Sequence, residues 1–357
     1  MYDIILSFIT AFTMTYFAIP SIINIAKVKH LVDEPGERRS HTTSTPSLGG
    51  IAIFAGVLFS IIMWTPFHLF ENLQYILCAF IVIFLVGAKD DIIPMSPKRK
   101  LIGQFFAACI LVFKSGIQIT SLHGILGIHA LHPLFGVVLT IFTMLVIINA
   151  FNLIDGINGL SGGIGVLNAI TLGTWFFLVD RTELSIVAFA FAGALIAFLN
   201  YNVTPARIFM GDTGSLLLGT VFSTLIIQFI EINKEITGHP YAFKAVPAVA
   251  IGLLILPLYD TFRVFTMRII RGKSPFSPDR THIHHLLLDF GFTHMQSTAI
   301  LLSVNMGFIT MVFLLQNIGV MPLLLLEFSV ATLLTALLYT SVRKQKQEAS
   351  ENTQITT

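Results

Sequence analysis

Charge is what this sequence has least of. Asp, Glu, Lys and Arg together make up 11% of 357 residues, where a soluble domain carries about a quarter. A soluble fold is thereby excluded, and length-per-domain arithmetic for soluble proteins does not apply. Cysteine is almost missing. Cys78 and Cys109 both lie inside apolar runs, so no disulfide framework is expected and both read as packing residues. Basic residues are absent ahead of the first apolar stretch, which carries only Asp3. That stretch reads as an uncleaved first span and not as a signal peptide. The net charge of +2 gives no sign of a nucleic-acid partner, and none is expected.

What the chain has in excess is hydrophobic residues, 55% of the total, with a mean hydropathy of +0.83. Apolar runs long enough to approach a bilayer crossing of ~20 residues lie at 2–25, 48–66, 73–88, 101–117, 134–151, 160–179, 184–201, 213–230, 243–263, 296–316 and 320–340. The expected fold is therefore an all-α integral membrane protein with about eleven transmembrane helices. It forms one polytopic domain over 1–342 and a polar, disordered tail over 343–357.

Basic residues orient the spans. One set of loops holds Lys27, Lys29, Arg38, Arg39, Lys89, Lys98, Arg99, Lys100, Arg207, Arg263, Arg268, Arg271, Lys273, Arg280, Arg343, Lys344 and Lys346, which is 17 of the 21 Lys and Arg residues. The alternate loops hold Lys114, Arg181, Lys234 and Lys244. The first set is expected to be cytoplasmic, with the N-terminus outside and the C-terminus inside. The outside loops are short and carry no cluster of acids, His or Gly.

Every polar motif falls on the cytoplasmic set. The run Asn149-Ala-Phe-Asn-Leu-Ile-Asp-Gly-Ile-Asn-Gly-Leu160 packs three Asn, an Asp and two Gly between two apolar stretches. An unpaired amide or carboxylate in hydrocarbon costs several kcal/mol, so such residues at a membrane boundary mark a site. Asn152, Asp155 and Asn158 recur every three residues and share one side if the start of the sixth span is helical. Oxygen and amide groups there suit a hard cation and a uracil edge. The bland reading is helix–helix glue.

Asp90-Asp91 at a helix end suits a magnesium site or a general base, against a pair of solvated caps. Lys98, Arg99 and Lys100 follow as anchors or as phosphate partners. Gly211-Asp212-Thr213-Gly214-Ser215 offers a carboxylate for metal and free amides at a helix N-terminus for phosphate. The competing reading there is an N-cap. Ser47, Gly49 and Gly50 offer similar donors after a Ser/Thr-rich loop. Asp279-Arg280-Thr281-His282-Ile283-His284-His285 puts three His in four residues. It has no Cys and no second His pair for zinc, so phosphate binding or proton transfer fits it better.

These five motifs, in this order, resemble the polyprenyl-phosphate N-acetylhexosamine-1-phosphate transferase family, in particular bacterial undecaprenyl-phosphate N-acetylglucosaminyl-1-phosphate transferases. The resemblance implies transfer of N-acetylglucosamine-1-phosphate from UDP-N-acetylglucosamine to undecaprenyl phosphate with release of UMP. That is the first membrane step of an O-antigen, common-antigen or teichoic-acid type polysaccharide. It implies Mg²⁺ (Mn²⁺ as the substitute ion) on Asn152 and Asp212. Asp155, Gly156 and Asn158 belong to the nucleotide, with Asn158 and Gly156 facing uridine. Asp90 or Asp91 deprotonates or positions the acceptor phosphate, and Lys100 meets phosphate. Arg280 with His282, His284 and His285 serves the sugar-phosphate end, His282 and His284 as catalytic candidates. A plasma-membrane location follows, with the active site facing the cytoplasm, and a homodimer is compatible.

Two departures stand out. Asn158 replaces an Asp common in bacterial members, and His-Ile-His-His differs from the uninterrupted three-His run of the muramoyl-pentapeptide branch. The alternatives are that branch, or another UDP-N-acetylhexosamine. From another class, the alternative is a secondary transporter. A transporter would place polar groups at the midplane of two repeated halves, and this chain has neither feature.

Overall fold

The computed structural model describes residues 1–31, 45–274 and 281–355, with the backbone alone over 349–355. Thirteen α-helices and one hairpin make up the described chain. They are α1 (Tyr2–Val28), α2 (Gly49–Trp64), α3 (Leu73–Ile92), α4 (Pro97–Phe113), β1 (Ser121–Ile125), β2 (Ile128–Ala130), α5 (Pro133–Ile154), α6 (Leu160–Leu178) and α7 (Thr182–Asn202). There follow α8 (Gly211–Glu235), α9 (Val246–Leu253), α10 (Ile255–Ile270), α11 (Ile283–Asp289), α12 (His294–Leu315) and α13 (Val320–Ile355).

Each of the eleven apolar runs coincides with one of these helices or, for 243–263, with the pair α9 and α10. By length and composition seven described helices are fit to cross a membrane, and eight if α9 and α10 count as one broken span. The α9–α10 pair bends by 83°. Pro257 sits in the first turn of α10; it has no N–H to continue the ladder from α9. The chain is thus a multi-pass, all-α membrane protein with one small hairpin.

Helix α8 is the axis of the bundle. Its face is apolar or small all round from Leu216 to Ile227, and α2, α3, α5, α6 and α9 pack around it. A helix hydrophobic on every side is buried on every side. Outer helices α1, α12 and α13 instead present Phe17, Leu314, Leu325 and Leu337 outward, as lipid contact allows and water does not. The apolar groups here need no polar face because hydrocarbon is the solvent.

Three expectations need correction, and one element is added to the all-α fold in the segment 118–130. It forms an antiparallel hairpin with Ser121 opposite Ala130 and Ile125 opposite Ile128. Residues 343–355 are not a disordered tail but the last turns of α13, where Lys344 faces Glu348 at 3.8 Å, the i,i+4 spacing that favours helix. The loops expected to lie outside do assemble a cluster. Glu71, Asp180, Glu183 and Glu235 meet His68 and Arg181 around one cavity at the far end of α3, α7 and α8. Asp180 and Glu183 come from one connection and Glu71 and Glu235 from two others, so no local motif announces the group. Cys78 and Cys109 are both free, but Cys78 is exposed on α3 and Cys109 half-buried, so neither is the core packing residue expected.

Candidate active site

Helices α3, α5 and α7 end, and α6 and α8 begin, around one polar cavity of about 440 Å³. Asp90, Asp91, Asn152, Asp155, Gly156, Asn158, Asp212 and Ser215 line it. Residues scattered over more than a hundred positions converge because α8 runs antiparallel to α3 and α5 and brings its first turn level with their last.

Lys100, from the first turn of α4, is the cation of the cavity. Its Nζ lies 2.7 Å from Asp90 and 2.6 Å from Asp212. The backbone N–H of Met95 also donates to Asp90 at 2.5 Å. The second oxygen of Asp212 accepts from the Asn152 amide at 2.5 Å, and that amide also reaches Ser215 Oγ at 2.9 Å. Charge-assisted bonds of this kind are about twice as strong as neutral ones.

Asp91 has a different place. Its oxygens accept from the N–H of Asp212 at 2.7 Å, the N–H of Thr213 at 2.9 Å and the Thr213 hydroxyl at 2.5 Å. It caps α8 from a neighbouring helix. Gly211 makes this close approach possible. Its φ is +71°, and a Cβ there would stand 2.0 Å from Ser47 O and 2.7 Å from Asp91. The amides expected to be free for phosphate at the start of α8 are thus taken by Asp91. Those of Gly49 and Gly50 are taken by the carbonyls of Phe209 and Met210, each at 2.9 Å. A buried N–H finds its partner inside the protein, and these donors have done so.

The Asn149–Leu160 stretch is not the start of a helix. Asn152 ends α5, Asp155 is its C-cap, and a turn through Gly159 with φ +79° leads into α6. Asn152, Asp155 and Asn158 line the same cavity nonetheless. Asp155 accepts from Ser161 Oγ at 2.5 Å. Burial raises its pKa to about 6, with the negative charge of Asp212 pushing the same way and the Ser161 bond opposing both. Asn158 donates to Thr204 Oγ1 at 3.0 Å, and its carbonyl accepts from Thr298 at 2.7 Å. Asn149 is glue: it exchanges bonds with the buried Gln104 amide.

His282 and His284 are buried and stand behind the cavity wall rather than in it. Their rings are parallel, 5.7 Å apart. His284 Nε2 presses on Gly156, where a Cβ would lie 2.2 Å from it. Burial first, and the neighbouring His285 next, lower the His284 pKa to about 3, so this ring is neutral. His285 packs at 4.3 Å from His284. Arg280 lies outside the described residues.

Asp260 and Arg263 in α10 are polar groups that the loop motifs do not announce. Asp260 accepts from His282 Nδ1 at 2.8 Å and from Arg263 at 2.8 Å. The available signal is an Asp and an Arg three residues apart in the middle of a largely apolar helix.

Among the described residues no three His, Cys, Asp or Glu side chains form a ready metal cage. That does not exclude Mg²⁺, which takes one or two carboxylates and completes its shell with water and substrate phosphate. The donor set fits such an ion. Four carboxylates line the cavity, and two of them, Asp90 and Asp212, already hold the positive charge of Lys100 between them.

Comparison with known proteins agrees with this geometry. Residues 73–230 match the family model described as "Glycosyl transferase family 4". The undecaprenyl-phosphate alpha-N-acetylglucosaminyl 1-phosphate transferase of Escherichia coli K12 is 32% identical over 278 residues, covering 76% of this chain and 73% of that protein. The protein of that name from Yersinia pestis is 31% identical over 272 residues, covering 75% and 72%. The decaprenyl-phosphate N-acetylglucosaminephosphotransferase of Mycobacterium leprae is 29% identical over 307 residues, covering 80% and 77%. The matched region carries four of the cavity's acids, and on that evidence the chain belongs to glycosyl transferase family 4, among the polyprenyl-phosphate N-acetylhexosamine-1-phosphate transferases.

Proposed function

We propose that the protein transfers N-acetylglucosamine-1-phosphate from UDP-N-acetylglucosamine to undecaprenyl phosphate and releases UMP, on the cytoplasmic side of the plasma membrane. The observation that carries this reading is the acid-lined cavity with Lys100 bridging Asp90 and Asp212, in a chain similar to transferases named for that reaction.

An oxygen of the lipid phosphate attacks the β-phosphorus of the nucleotide sugar. The bond from that phosphorus to the bridging oxygen breaks, and UMP leaves with the oxygen. Nucleophile, electrophile and leaving group are all anionic, so positioning and charge neutralisation do most of the work. Asp212 and Asn152 would hold Mg²⁺, which when bound polarises the phosphate oxygens and offsets their charge. Lys100 supplies a second positive charge at the same end. Asp90 orients or takes the proton of the acceptor phosphate. Asp91 holds the first turn of α8, and with it Asp212, in place. Asp155, Gly156 and Asn158 form the nucleotide side of the cavity. A cavity at the ends of the spans suits a lipid whose phosphate lies at the interface and whose chain stays in hydrocarbon.

The test is release of UMP by purified, detergent-solubilised protein given Mg²⁺ and undecaprenyl phosphate. UDP-N-acetylglucosamine, UDP-N-acetylgalactosamine and UDP-N-acetylmuramoyl-pentapeptide are supplied one at a time. Preference for the first supports the proposal. Preference for another names a different donor within the family, and no release from folded protein returns the transporter reading.

A further inference from the structure

Asp260 is a buried carboxylate, 3% exposed, in the second half of a broken membrane span. It does not line the polar cavity. A group so costly to bury is kept only where donors compensate it, and here three bonds to the carboxylate do so. Oδ2 faces His282 Nδ1 at 2.8 Å. Oδ1 accepts from Arg263 Nη2 at 2.8 Å and from the N–H of Ile283 at 3.1 Å. Arg263 in turn donates to the Thr281 carbonyl at 2.5 Å. Residues 281–283, where α11 begins, are thereby tied to α10 at three consecutive positions.

We propose that Asp260 is the positioning residue of this site, fixing His282 in the Nδ1–H tautomer and, with Arg263, seating the histidine segment against the Gly156 wall of the cavity. The tautomer follows from inventory. A carboxylate is acceptor-only, so a ring nitrogen 2.8 Å away must carry the proton. The other nitrogen, Nε2, is then the unprotonated one in the neutral ring. The seating follows from contact. His282 lies parallel to His284, and His284 Nε2 bears on Gly156, which lines the cavity. Carboxylate partners behind a histidine set its orientation in just this way, and removing them costs about 10- to 100-fold in function. An Asp→Asn change at such a position disturbs the tautomer while sparing the shape.

The catalytic part of this inference rests on the proposed transferase reaction; the tautomer part does not. The first experiment therefore reads the ring nitrogens of His282 by ¹⁵N NMR in detergent, with His282→Gln assigning the signal. An Nδ1–H tautomer supports the proposal, and an Nε2–H tautomer overturns it, whether or not the protein turns over the donor tested. The second compares Asp260→Asn, His282→Gln and the double variant for UMP release. A fall in kcat of about 10- to 100-fold for Asp260→Asn, with no further fall in the double variant beyond His282→Gln, is expected. Losses that multiply, or a kcat for Asp260→Asn within threefold of the unchanged protein, would mean that Asp260 does not act through His282. If Asp260→Asn fails to fold, the tautomer measurement on the unchanged protein decides.

Discussion

The ammonium of Lys100 lies 2.6 Å from the carboxylate of Asp212, a residue 112 positions further along the chain. Lys100 also holds Asp90 at 2.7 Å, so one cation joins α3, α4 and α8 at the cavity. Lys100→Met removes the only side-chain cation in contact with these acids among the described residues. Turnover should fall on the order of 100- to 1000-fold. The two carboxylates, left with more uncompensated charge, should bind Mg²⁺ more tightly. A Mg²⁺ titration of nucleotide binding checks this, and an unchanged midpoint would contradict the bridging role.

Asp91 acts on structure before chemistry. Asp91→Ala orphans two backbone N–H groups and a hydroxyl at the start of α8, at a cost of about 1–3 kcal/mol. The unfolding midpoint in detergent should drop. Asp91→Asn keeps one acceptor oxygen and should drop it less. Equal midpoints for the two variants would show that the cap contributes nothing.

Gly156→Ala should separate folding from function. The new methyl would meet His284 Nε2 at 2.2 Å, and either the wall or the histidine segment must shift. A misplacement of about 1 Å costs on the order of 100-fold in rate. UMP release should therefore fall while the unfolding midpoint stays near that of the unchanged protein.

The pH dependence of Asp155 has a definite sign. Its pKa is raised to about 6 by burial, above the ordinary 3.9 of an unfolded Asp. The folded state then binds the proton more tightly, so this stabilisation is complete below about pH 4 and is lost as pH rises through 6. Asp155→Asn lacks that loss. In metal-free buffer, the midpoint of the variant relative to the unchanged protein should rise between pH 4 and 7. A difference that is flat or falls over that window would contradict the raised pKa of Asp155.

Much of this site was legible in the chain because bilayer chemistry makes polar residues expensive. Asp90, Asn152, Asp155 and Asp212 stand out where apolar runs end, and the structure brings them to one cavity. Their partners were less legible. Nothing in Gly-Asp-Thr-Gly-Ser says that Asp91, on another helix, takes its amides. In the sequence Arg263 reads only as one of the orienting basic residues and Asp260 is not singled out; only the return of α11 gives them a purpose. The acid group of Glu71, Asp180, Glu183 and Glu235 depends on contacts between distant parts of the chain. Apolar periodicity locates helices well; it carries no information on which ends meet.

The most direct test of the account is the identity of the nucleotide released when the protein consumes UDP-N-acetylglucosamine with undecaprenyl phosphate and Mg²⁺. UMP in equal amount to a lipid diphosphate sugar means that the bond between the two phosphates has broken, as an acid-lined, cation-bridged phosphate site requires. UDP, with sugar joined to the lipid through a single phosphate, would mean that the glycosidic bond had broken instead, and the reading of this cavity as a phosphoryl-transfer site would be wrong.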